Sequence, residues 1–382
     1  MSNVILYDEL TWPEISSLPR DIPLVIPLGT GYDLEQFCLA LGNPETIIFL
    51  PPFPFGWVGS GLEVADDYLE AYISNLITSL REDGFTRVYA LTPQGINLSL
   101  GANQISLDHP NQWQPLPGLP SDLDVDKVVL IPIGHTEQHS YHLPMSTDTL
   151  IISAISQGVV KACRELCVNL PVMPYGVSTH RSSFCGTLNA GGRAFEDFWL
   201  DIVQNLVVRG FNRIYFINGH GGNSSFLVNI IKYAGEKYRR IFCATSWLYL
   251  SGSAGIASLE QHRESKLGGM GHACELETSL ILSLRPDLVH MDRVRDDTDF
   301  ITTPSYYMDW LEGGSIIANP PWEDDSIHGA YGSGSLGTTE KGRIWLDDAI
   351  EEKISHIKEI HEQHSRREIR RNAGFGLWGA QK

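Results

Sequence analysis

The chain repeats itself, and this repeat constrains the fold more than any other feature. Three segments recur in order: VIPLG (25–29) as LIPIG (130–134), LPPFPFG (50–56) as LPVMPYG (170–176), and LITSLREDGFTRVYALTPQGIN (76–97) as IVQNLVVRGFNRIYFINGHGGN (202–223). Repeats of this kind mark a duplicated structural unit. Within each copy, short apolar runs alternate with longer amphipathic stretches, which is the pattern of an α/β fold with a mostly parallel sheet.

In the second copy, strands are expected at KVVLIPI (127–133), NLPVMPY (169–175), RIYFIN (213–218) and RIFCATSW (240–247). Helices are expected over about 148–168, 194–209, 223–238, 273–284 and 340–369. The first copy offers PLVIPLG (23–29), TIIFLPPFPFG (46–56), a helix near 64–83 and RVYALTPQGIN (87–97). Gly, Pro, Ser and Asp dominate 286–338, which predicts long loops. The proline-rich, aperiodic stretch NQWQPLPGLPSDLD (111–124) reads as a linker between a first domain, 1–110, and a second, 125–382, that ends in a long helix.

The copies differ in chemistry. Glu137, His139 and His220 of the second copy face Tyr32, Leu34 and Gln94 of the first, so residues 1–110 read as a degenerate copy that binds no metal and packs against the other.

A formal charge of −18 disfavours nucleic acid and anionic membrane as partners, because both are bound through Lys and Arg. The cluster Arg366, Arg367, Arg370 and Arg371 reads as a solvated helix face. No apolar run approaches the length of a membrane span, and MSNVILYDEL lacks the basic and apolar regions of a signal peptide, so a cytoplasmic protein is expected. The six cysteines form no C-x-x-C pair, and Cys163 with Cys167, spaced i, i+4, reads as two small buried residues.

Three polar clusters carry the candidate chemistry. IPIGHTEQHSYHLPMSTD (131–148) supplies Glu137, His139 and Asp148 after one strand, and NGHGGN (218–223) supplies His220 after another. Parallel α/β sheets bind ligands at the carboxyl ends of their strands. GHACELETS (271–279) adds His272, Glu275 and Glu277 at the opening of a helix, where the i, i+3 spacing of His272 and Glu275 would point both to one face. Imidazoles with carboxylates and no thiolate suit Zn, Mn or Fe(II) and argue against a structural zinc site. Singly, each residue has a structural alternative: a hydrogen-bonded loop histidine, an N-cap at Asp148, glutamates favoured by a helix dipole. Three clusters at one sheet edge favour the joint site.

The second copy also resembles the creatininase (creatinine amidohydrolase) family. The resemblance rests on G-x-T-E-Q-H-x-x-H-L-P-x-x-T-D (134–148), Y-G-V-S-T-H with G-T-L (175–188), N-G-H-G-G-N (218–223), H-A-C-E-L-E-T-S (272–279) and G-S-L-G-T-T-E-K-G (334–342). LTWPEI (10–15) is similar to the segment that starts family members, and here it opens the first copy. The resemblance implies a three-layer α/β sandwich and a centre of two divalent metal ions. Glu137 and His220 would bind one, His139 the other, with Asp148 bridging. Creatinine-hydrolysing members carry N-G-H-Y-E-N, whose Glu completes the second metal's shell. Here Gly222 occupies that position, and Glu275 is the candidate replacement. Cys274 stands where the family usually has glycine.

His272 would be the general acid, with His180, Ser178, Gly221 and Gly222 on the substrate side and His142 in a supporting role. The implied activity is hydrolysis of the C–N bond of a small amide, cyclic amides included, by a homo-oligomer. A formamide or peptide-bond hydrolase in a biosynthetic pathway is the alternative within the class, and a non-catalytic scaffold is the alternative outside it.

Overall fold

The computed structural model describes residues 2–108, 118–179, 183–310 and 313–374. Residues 111–117 of the expected linker and His180 therefore lie outside the described residues. Two parallel sheets organise the rest. The first contains β1 (Asn3–Leu6), β2 (Leu24–Pro27), β3 (Thr46–Phe49), β4 (Val88–Pro93) and β5 (Gln104–Leu107), in the order β1-β3-β2-β4-β5. The second contains β6 (Val128–Ile133), β7 (Cys167–Asn169), β8 (Arg213–Asn218) and β9 (Phe242–Thr245), in the order β7-β6-β8-β9. A short antiparallel pair, β10 (Met270–His272) with β11 (Tyr331–Gly332), stands apart.

The repeated segments occupy equivalent places. β3-β2-β4-β5 and β7-β6-β8-β9 run in the same spatial order, and the isolated bridge Leu28–Phe53 has its counterpart in Ile133–Met173. Every residue of β6 and β8 is buried, so β6 is an unbroken apolar run and β8 is apolar between Arg213 and Asn218, as parallel strands covered on both faces require.

The helices are α1 (Trp12–Ser17), α2 (Leu34–Ala40), α3 (Asp66–Glu82), α4 (Thr147–Cys163), α5 (Gly192–Val208), α6 (Ser224–Lys237), α7 (Ser253–His262), α8 (Glu275–Leu284) and α9 (Thr339–Asn372). One core cluster lies between the sheets and joins α3 and β2 of the first half to α5 and β6 of the second. A second covers the other face of the second sheet with α4, α8 and α9, and a third joins α2 to the outer face of the first.

The halves are fastened by polar contacts as well. Tyr72 Oη donates to the carbonyl of Tyr175 (2.8 Å), and Asn75 Nδ2 donates to that of Ala190 (2.7 Å). Phe198 packs edge-on against Phe53 and Tyr72, at 5.6 and 5.1 Å. The segment around LTWPEI also belongs to this contact: Met145 N donates to Leu10 O (2.9 Å), Ser146 N donates to Asp8 O (3.0 Å), and Trp12 lies 5.4 Å from Tyr141. It therefore braces the loop that carries Glu137 and His139.

Several expected strands differ. The strand expected at 169–175 lies instead at Cys167–Asn169, and that expected at 46–56 stops at Phe49, because Pro171 and Pro174, like Pro51 and Pro52, have no N–H to give a ladder; β2, β4 and β9 are also shorter than expected. The described residues of segment 286–338 are loop, broken by single 3-10 turns and β11. The expected pair Cys163 and Cys167 is buried, with sulfurs 3.6 Å apart.

Candidate metal centre

The carboxyl ends of β6 and β8 present the site. The loop after β6 carries Glu137 and His139, and Asp148 follows in the first turn of α4. His220 comes two residues after β8 ends, His272 is the last residue of β10, and Glu277 lies in the first turn of α8. Left-handed backbone at Ser140 (φ 56°) and Ala273 (φ 48°), unusual for non-glycine residues, turns the chain directly after His139 and His272.

Asp148 stands between two histidines. Its Oδ1 lies 3.2 Å from His139 Nε2, and its Oδ2 lies 3.1 Å from His220 Nδ1. His220 Nδ1 is also 3.1 Å from Glu137 Oε2, and His139 Nε2 is 3.8 Å from Glu277 Oε1. Three groups of donor atoms close enough to hold an ion emerge, His135–Glu137–His220, Glu137–His139–His272 and His139–Asp148–Glu277, and Asp148 links the first and the last through His220 and His139.

The hydrogen bonds behind the histidines orient them. His139 Nδ1 donates to the carbonyl of Glu137 (3.0 Å), and His220 Nε2 donates to that of Val177 (3.1 Å). The opposite nitrogen of each ring then turns its lone pair inward, toward carboxylates. Buried His139 Nε2 and Asp148 Oδ2 have no hydrogen-bond partner. Inward lone pairs and unpaired carboxylate oxygens, both sealed from water, fit divalent cations bound through nitrogen and oxygen.

Charge coupling follows the same geometry. Burial pushes the His139 ring toward neutrality, but the Asp148 carboxylate overrides it and holds its pKa well above the usual value. Burial likewise opposes charge on His220, yet Glu137 and Asp148 raise its pKa to about 10. For Glu137 and Asp148 burial works upward, and the neighbouring histidines hold both well below the usual carboxylate range. Protons and metal ions thus compete for the same atoms, and metal uptake must release protons.

Glu275 is not at the centre, which corrects the sequence expectation. Its carboxylate is tied to Lys341 Nζ (2.6 Å) and accepts from the backbone N–H groups of Glu264 (2.9 Å) and Ser265 (2.8 Å). Helix α8 begins only at Glu275, so His272 is on a strand and the i, i+3 rule does not relate the two. Glu277, not Glu275, is the α8 carboxylate that approaches His139, at 3.8 Å from Nε2.

The remaining residues serve mainly to position the ligands. Ser178 Oγ, fully buried, donates to Glu137 Oε1 (3.1 Å) and so orients that carboxylate. A Cβ on Gly222 would lie 2.3 Å from Val177 O and 2.5 Å from His220 Nε2, so this glycine lets the turn pack under the His220 ring. Gly221 has open space around it. His142, with its pKa pushed down to about 3 by burial, hydrogen-bonds Thr278 Oγ1 through Nε2 (2.9 Å) and steadies the first turn of α8. Cys274 Sγ lies 3.9 Å from Glu277 Oε2, and burial raises its pKa well above the usual value.

His272 joins the centre. Its ring lies 4.2 Å from that of His139, and its Nδ1 is 4.0 Å from Glu137 Oε2. Nε2 contacts the Gln138 carbonyl at 2.6 Å and so carries a proton, leaving Nδ1 inward. Burial, then the nearby His139, lowers its pKa. Sequence reasoning named Glu277 in its cluster but preferred Glu275, and it missed His135, whose ring lies 4.4 Å from that of His220 and which accepts from Gly176 N at Nδ1 (2.9 Å). The signal for His135 was its place in the same GHTEQH run.

The second parallel sheet thus gathers imidazoles and carboxylates at the ends of β6 and β8. Residues 116–357 match the creatininase (creatinine amidohydrolase) family. Creatinine amidohydrolase of Pseudomonas putida is 29% identical over 247 residues, 61% of this chain and 90% of that protein. Mycofactocin precursor peptide peptidase of Mycobacterium ulcerans is 28% identical over 236 residues, 60% of this chain and 84% of that protein. The solved structure "Creatininase Mn" superimposes with a TM-score of 0.53 at 25% identity, covering 62% of this chain and 92% of that one. A mutant creatininase of "Zn-Zn type" gives 0.52 at 26%, covering 61% and 90%. The chain belongs to the creatininase family, hydrolases that act on amide C–N bonds.

Proposed function

We propose that the protein is a two-metal amidohydrolase. The observation that carries this reading is Asp148, which turns one carboxylate oxygen to His139 and the other to His220. Glu137 and His220 would complete one cation site, and His139 and Glu277 the other, with zinc or manganese the leading candidates and iron the third. Two divalent cations held there would polarise the scissile carbonyl and acidify the attacking water near neutral pH.

The protein's own residues do the rest. Ser178 and the Val177 carbonyl fix Glu137 and His220, and the Glu137 carbonyl fixes His139. The closed surroundings keep bulk water from these charges. His272 is the proton donor to the leaving nitrogen. Its Nδ1 faces Glu137 while Nε2 keeps its proton on the Gln138 carbonyl, so the inward nitrogen, whose basicity burial and the nearby His139 reduce, would take a proton from the attacking water and pass it to the leaving nitrogen. Gly222 stands where creatinine-hydrolysing members carry glutamate, so creatinine should be turned over poorly.

We further infer that residues 1–110 are a degenerate copy of the catalytic unit, supported by the matching strand order of the two sheets. Metal analysis with an amide-hydrolysis assay tests the main reading. Asp148→Ala should lose both cations and all activity, and His139→Ala mainly one cation. Full metal content in Asp148→Ala would overturn the bridging assignment.

A further inference from the structure

Beside the metal centre, loop residues within 300–310 and 313–331 and the turn after β9 enclose a cavity of about 550 Å³. Trp247, Ile256, Tyr306, Met308, Trp310 and Trp322 form most of the wall that matters here. The cavity adjoins the reacting groups on two sides. The Trp322 ring stands edge-on to His272, with centroids 5.3 Å apart. Asn319, also in the wall, accepts from Thr179 Oγ1 (3.1 Å), the residue next to Ser178.

The wall offers apolar surface and offers its carboxylates elsewhere. Asp309 is buried and held by both terminal nitrogens of Arg263, at 2.8 and 3.0 Å. Asp325 accepts from the backbone N–H of Ile301 (2.9 Å). At the mouth, Ile316 and Ile317 are 54% and 94% exposed, a placement that costs solvation unless apolar matter passes or rests there. A volume of this size suits a ligand much larger than one small ring. Clustered aromatic side chains favour flat or branched apolar groups.

We propose that this cavity is the recognition pocket of the amidohydrolase site and receives an uncharged aromatic or branched aliphatic group attached to the scissile amide. The substrate class is thus an amide with a bulky apolar substituent next to the C–N bond. The proposal rests on the amidohydrolase reading for its reaction, and on the cavity alone for its specificity.

Calorimetry on the full-length, manganese-loaded protein tests it with two probes that differ by one benzyl group, N-acetyl-L-phenylalaninamide and N-acetylglycinamide. The first should bind roughly tenfold or more tightly, as burial of a phenyl ring implies. Met308→Trp, which fills the cavity, should bring the ratio of the two affinities close to one. Ile317→Lys, at an exposed position where folding is not at stake, should lower the same ratio by placing a charge at the mouth. Equal affinity of the two probes for the unaltered protein, or an unchanged ratio in Ile317→Lys together with a folded Met308→Trp, would overturn the pocket. Metal content measured on the same samples separates that failure from failure of the catalytic reading, since a metal-loaded protein without the preference refutes the pocket alone.

Discussion

Glu275 and Glu277, two residues apart in the first turn of α8, send their carboxylates to different places: Glu277 Oε1 to within 3.8 Å of His139 Nε2, Glu275 Oε1 to 2.6 Å from Lys341 Nζ. Residues spaced i, i+2 lie on nearly opposite sides of a helix, so only one of the two can reach the metal centre. The other ties the helix to α9. Glu275→Gln is therefore expected to keep its metal and lose stability, by about 1–3 kcal/mol, because it weakens a buried charge-assisted bond while Glu264 still pairs with Lys341. Thermal unfolding of the metal-loaded variant checks this.

The hydroxyl of Thr278 connects His142 to the residue next to Glu277. Thr278→Val keeps the shape and removes that bond. Affinity for the second cation is expected to fall by about tenfold, the usual scale for groups that orient a metal ligand. Competition with a chromophoric chelator measures it.

Asp8 supplies a pH-dependent test away from the centre. Burial raises its pKa from 3.8 to about 6. The folded protein thus prefers the protonated form, a preference fully present below pH 3.8 and lost as pH rises through about 6. At neutral pH the ionised carboxylate costs stability. Asp8→Asn should stabilise the protein by about 1–3 kcal/mol at pH 7.5 and by much less at pH 4. Denaturant melts at the two pH values give the comparison.

Phe198 sits where the two halves meet, fully buried against Phe53 and Tyr72. Phe198→Ala should cost about 3–5 kcal/mol. Because the core cluster runs through both sheets, the loss is expected in a single unfolding transition and not in one half alone. Differential scanning calorimetry that resolves two independent transitions would contradict this.

Much of the layout was legible in the chain. β6 and the middle of β8 show as continuous apolar runs because both faces of the sheet are covered, and Glu137, His139, Asp148 and His220 follow the ends of those parallel strands, while His272 ends a separate antiparallel strand. What escaped had physical reasons. β1 is mostly exposed at a sheet edge and carries little periodic signal. The carboxylate of α8 was misjudged because the helix starts at Glu275, two residues later than its apolar pattern suggests, so His272 is on a strand and cannot share a helix face. Pairing of Glu275 with Lys341, sixty-six residues away, leaves no local trace in the sequence.

Metal stoichiometry is the most direct test of the central claim, a centre completed by Glu277 and bridged by Asp148. Elemental analysis of the unaltered protein and of the Glu277→Gln and Glu275→Gln variants, saturated with manganese and then gel-filtered, should give about two, one and two equivalents. Two equivalents in Glu277→Gln, or one in Glu275→Gln, would contradict the account.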